Sequence, residues 1–91
     1  MEGVIGRVVK SKAGRDKGRY FMILSVLDEA YVYLVDGDLR KIEKPKRKKL
    51  KHLNVSNIIL SEFLLKMDNE EPNLNSELKK RIIGIANELY W

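Results

Sequence analysis

No cysteine occurs in this chain. That excludes a disulfide framework and a thiolate metal site, and it fits a reducing compartment. Histidine occurs once, at His52, and proline twice. With one histidine, no cysteine and no carboxylate pair outside turn sequences, a catalytic constellation is missing, so an enzyme is not expected. No cofactor and no metal ligand set is expected either. The apolar runs fall far short of the ~18 residues of a membrane span. No apolar signal region follows the first residues. The chain therefore reads as a soluble, cytoplasmic protein with no membrane partner. No internal repeat is visible.

What remains is a 91-residue chain, 44% apolar and 34% charged. That length makes one domain, which buries only about 60–65% of its unfolded surface. The charge is unevenly placed. Residues 1–53 hold 14 basic residues against 7 acidic, a net +7, whereas residues 54–91 hold 4 against 6, a net −2. Most of the front-half cations sit in two runs. The first carries Arg7, Lys10, Lys12, Arg15, Lys17 and Arg19 against one acid, Asp16. The second carries Arg40, Lys41, Lys44, Lys46, Arg47, Lys48, Lys49 and Lys51 against one acid, Glu43. A dense positive field on part of a small protein suits a polyanionic partner.

The front half reads as short strands separated by turns. Strands are expected over residues 4–9, 20–27 and 31–35, the last with Val32 and Leu34 on one face. Residues 11–18 form a polar loop in which Gly14 and Gly18 make positive φ cheap. Asp36-Gly37-Asp38 is a hairpin signal, which makes residues 39–42 the returning strand. Pro45 suggests an edge or a loop, and residues 50–55 a last short strand. The back half changes character. Ser56 can cap a helix over roughly 57–67, with a strand at 58–60 as the rival, since short apolar runs are ambiguous. Asn75 or Ser76 caps a clearer helix to about Leu89, with Leu78, Ile82, Ile85, Ala86 and Leu89 on one face. The expected fold is mainly β: a small SH3-like barrel over 1–55, followed at 56–91 by one or two C-terminal α-helices packed on or beside it.

Residues 6–24, from Gly6-Arg7-Val8-Val9-Lys10 through Gly14-Arg15-Asp16-Lys17-Gly18-Arg19 to Leu24, resemble a KOW motif. That motif is a strand, a loop bearing Gly and Lys, and a second strand. With Leu34-Val35-Asp36-Gly37 added, the chain resembles the fourteenth large-subunit ribosomal protein family of archaea and eukaryotes. It is still more similar to a group of small bacterial RNA-binding KOW proteins, which share the stretches from Asp36 to Lys41 and from Pro45 to Leu53. The likeness covers roughly residues 3–53. It implies an SH3-like barrel and non-catalytic binding of ribosomal RNA or a ribosomal particle. It also leaves room for contact with a ribosomal protein through the C-terminal helices.

The residues suit that role on physical grounds. Gly14 and Gly18 have little bulk, so backbone N–H groups can approach phosphates. Arg15, Lys17 and Arg19 supply charge beside them, Arg as a fork or stacking plane and Lys as a point charge. Lys12, Arg40, Lys41, Lys46, Arg47, Lys48 and Lys49 extend the RNA-binding set. Tyr20, Tyr31 and Tyr33 fit either base stacking or half-buried packing. His52 fits a buried or locally bonded role. Asp36 and Asp38 read as turn chemistry rather than a cation site. A second reading makes the barrel a protein-interaction module that recruits an acidic or proline-rich partner. Its sign would be an aromatic-lined groove away from the basic runs.

Overall fold

A computed structural model describes residues 2–88. After a 3₁₀ turn at Glu2–Val4 come β1 (Arg7–Ser11), β2 (Tyr20–Val26), β3 (Tyr31–Val35) and β4 (Lys46–Lys49). A second 3₁₀ turn (Leu50–His52) leads into β5 (Leu53–Ile59), and α1 (Ser61–Asp68) and α2 (Leu74–Glu88) complete the chain. The strands form one antiparallel sheet in the order β4-β3-β2-β1-β5. Among the described residues no ladder joins β4 to β5, so the sheet is not closed.

Period-two alternation sends successive side chains to opposite faces of the sheet. One face gathers Val9, Phe21, Ile23, Val32, Leu34 and Leu53. The other gathers Val8, Met22 and Val35 with Leu60, Phe63, Leu78 and Ile82 from the helical part. The helices are therefore not an appendage: their apolar stripes complete the second core. Each fully buried Leu or Ile there contributes about 1.5–3 kcal/mol relative to exposure. Leu89, expected on the same stripe, lies outside the described residues.

The sheet is bent. Register shifts interrupt the β1–β5 ladder between Arg7 and Val9 and the β2–β3 ladder between Ile23 and Ser25. Such bulges bend and twist a strand. The consequence is a cross-sheet contact. In a flat sheet β4 would lie three strand spacings, about 14 Å, from β1. Yet Lys48 of β4 reaches the β1–β2 loop with Nζ 2.7 Å from the Ala13 carbonyl oxygen.

Three expectations need correction. Residues 39–42 form no strand, because their backbone donors are taken elsewhere. The Asp36 carboxylate accepts the N–H groups of Asp38 and Arg40, both at 2.9 Å, and Asn75 Oδ1 accepts that of Ile42 at 2.8 Å. The returning strand is β4, beyond Pro45. Ser56 does not cap a helix. Its hydroxyl donates to the Val8 carbonyl at 2.6 Å and accepts from the Ile58 N–H at 3.1 Å, bridging the bulge in β5. That strand continues to Ile59 and the first helix starts at Ser61. The expected strand at 50–55 likewise begins only at Leu53, after the 3₁₀ turn.

Candidate nucleic-acid interface

The loop between β1 and β2 is organised around its one acid. Asp16 is buried, and its Oδ1 accepts hydrogen bonds from Ser11 Oγ at 2.6 Å and Lys48 Nζ at 2.7 Å. Lys46 Nζ stands 2.8 Å from Oδ2 as an ionic contact, although no hydrogen bond of good geometry reaches that oxygen. Burial alone pushes the Asp16 carboxyl upward. Lys46, Lys48 and Ser11 together outweigh it and hold the group far below the ordinary carboxylate range. The loop backbone is closed by bonds from Gly18 N–H to the Ser11 oxygen at 2.8 Å and from Arg19 N–H to the Asp16 oxygen at 2.9 Å. Gly14 and Gly18 both take positive φ, +83° and +90°, which L side chains adopt at a cost. A Cβ on Gly14 would also stand 3.3 Å from Lys48 Nζ.

This arrangement explains how four consecutive cations form a strand. In β4, Lys46 and Lys48 turn to the Asp16 side. Arg47 and Lys49 turn the other way, with the Arg47 guanidinium 4.8 Å and Lys49 Nζ 5.9 Å from the Tyr31 ring centre. Like charges are thus split between two faces, one pair sharing an acid and the other set over an aromatic ring. Lys48, only 9% exposed, serves the loop rather than the surface.

The two basic runs consequently adjoin. Arg15, Lys17 and Arg19 are exposed on the loop and make no ion pair among the described residues. Lys12 is exposed as well, and its N–H donates to the His52 carbonyl at 2.9 Å. His52 is half-buried. Desolvation first, then the charges of Lys51, Lys48, Lys49 and Lys12, push its imidazole below the usual value, so it is neutral at pH 7. Cations from both runs therefore act on one histidine.

Arg40 joins from another direction. Together with Arg15 and Arg19 it borders a hollow of about 310 Å³, whose remaining lining is Asp16, Phe21 and Leu39. Lys41 does not join this group and lines a separate hollow at the start of α2 beside Glu43 and Glu71. Sequence reasoning missed two contributors: Asp16 as the organiser and Leu39 as an exposed apolar wall. Asp16 had a signal, being the one acid in a run of six cations. Leu39 had none. Among the described residues no helix is long and apolar enough to cross a membrane. Comparison with protein-family models and with curated protein sequences finds no match to this chain.

Proposed function

We propose that this chain is a non-catalytic RNA-binding protein with an SH3-like barrel, acting on ribosomal RNA or a ribosomal particle. The single observation that carries the reading is the joining of the two basic runs through Asp16, which consumes two lysines. Among the described residues, Arg15, Lys17, Arg19, Arg47 and Lys49 have no acid partner. A net positive surface built from a hydrogen-bonded loop and an edge strand suits phosphate contacts, with selectivity from RNA shape. The barrel reading is supported by the strand order, the 3₁₀ turn before β5 and the bend that brings β4 to the β1–β2 loop. The KOW-like segment from Gly6 to Leu24 and its likeness to the ribosomal family support the RNA class and the ribosomal setting. The protein-recruiting alternative wants an aromatic groove apart from the cations, whereas Tyr31 lies under Arg47 and Lys49.

Titration of a structured ribosomal RNA fragment at several salt concentrations tests the proposal. Five neutralised phosphates give a slope of log K against log salt of roughly −3.5 to −4.5. Affinity that does not change with salt would refute it.

A further inference from the structure

The hollow between the β1–β2 loop and the turn at 36–40 differs from the rest of the basic surface. Three arginines, Arg15, Arg19 and Arg40, line about 310 Å³, near the lower end of small-ligand pockets. The only acid there, Asp16, is already shared by two lysines. Leu39 brings an apolar surface to the same place and is 60% exposed, while Phe21 beneath is 2% exposed. Phosphate contacts alone give no reason to set a bare Leu among arginines.

Both sides of the hollow are pre-set. The loop is tied by Asp16, and the turn by the Asp36 carboxylate. Gly37 pins that turn to α2: a Cβ there would fall 2.0 Å from the Asn75 carbonyl oxygen.

We propose that this hollow receives one unpaired nucleotide of a bound RNA, its phosphate forked by arginine and its base face covering Leu39. The inference rests on the RNA-binding reading above and specifies the ligand of one part of that surface. A base held in a duplex stays in the stack. An unpaired base can be splayed out, and guanidinium can either fork a phosphate or lie flat on a base.

The test uses the full chain and two RNA hairpins, one fully paired and one with a single bulged nucleotide, at fixed salt. The bulged hairpin is expected to bind about fivefold tighter, the low end for a single stacked base because the wall is aliphatic. Leu39→Ser should abolish that preference, so that the two hairpins bind alike, while the melting temperature stays unchanged because Leu39 is largely exposed. Arg47→Ala, away from the hollow, should weaken both hairpins alike. Equal wild-type affinity for the two hairpins, or a bulge preference that survives Leu39→Ser, overturns the inference and leaves the RNA-binding reading standing. Binding of neither hairpin overturns both. Displacement of the bulged hairpin by an equimolar nucleoside 5′-monophosphate would assign the hollow to a free nucleotide and also overturn it.

Discussion

Replacing Asp16 by Asn keeps the shape of the side chain and removes its charge. Lys48, 9% exposed, would then stay buried with only the Ala13 carbonyl and an amide oxygen as acceptors. The two ammoniums each touch one oxygen of the same carboxylate, and without the acid they repel by roughly a few kcal/mol at an effective dielectric of about 20. Breaking a buried pair from one side costs about 3–5 kcal/mol. Lys46 is 26% exposed and can swing toward water, which favours the lower figure. The expectation is therefore a loss of about 3 kcal/mol, or a fall in melting temperature of about 12–24 °C for a domain of this size. Thermal and urea melts at pH 7 measure it. Adding Lys48→Met to Asp16→Asn removes the stranded charge and should recover most of the loss. The pH dependence has a definite sign. The folded carboxyl lies far below its ordinary value, so its contribution is complete above about pH 5 and declines as pH falls through about 3.9. Wild type and Asp16→Asn should accordingly draw together in acid. A variant that melts within about 4 °C of wild type at pH 7 would refute the reasoning, because the loop would then not depend on its acid.

The remaining expectations concern the surface and its supports. The triple variant Arg15→Ala, Lys17→Ala, Arg19→Ala removes exposed charges, so melting should shift by no more than about 0.5 kcal/mol per site while RNA affinity falls well over tenfold, as titration would show. Gly37→Ala places a methyl group against the backbone of α2 at a φ of +78°, and denaturant melts should register a loss of about 2–4 kcal/mol. The His52 imidazole, held low by desolvation and by Lys51, Lys48, Lys49 and Lys12, should titrate closer to 6.5 when RNA phosphates offset those charges. An NMR titration with and without RNA reads that shift. Since the bound form then takes up protons more readily, affinity should rise as pH falls below 6.5.

How far the sequence reveals this protein depends on where each signal resides. Strand β3 was legible because Val32 and Leu34 alternate with half-buried tyrosines, and the structure places it at Tyr31–Val35. Strand β4 was hidden. Its period of two exists only in its partners, Asp16 on one side and Tyr31 on the other, and four like charges carry no apolar alternation. The turn at 36–40 was misread as a hairpin leading straight into a strand, because the decisive acceptors, Asp36 Oδ1 and the distant Asn75 Oδ1, compete with a ladder. Ser56 fits a helix cap and a bulge equally well until β1 supplies the Val8 carbonyl. For the candidate site, the cations were visible from composition. Which of them are consumed, namely Lys46 and Lys48, follows only from the bend of the sheet. Leu39 becomes informative only once Arg15, Arg19 and Arg40 surround it.

The most direct test of the central claim is ultraviolet crosslinking of the full chain to ribosomal RNA in cells, with the crosslinked peptides mapped by mass spectrometry and the bound RNA sequenced. The adjoining of the two basic runs requires crosslinks within residues 12–19 and 47–52, on one ribosomal RNA region. Crosslinks confined to α1 and α2, or no recovered RNA, would contradict it.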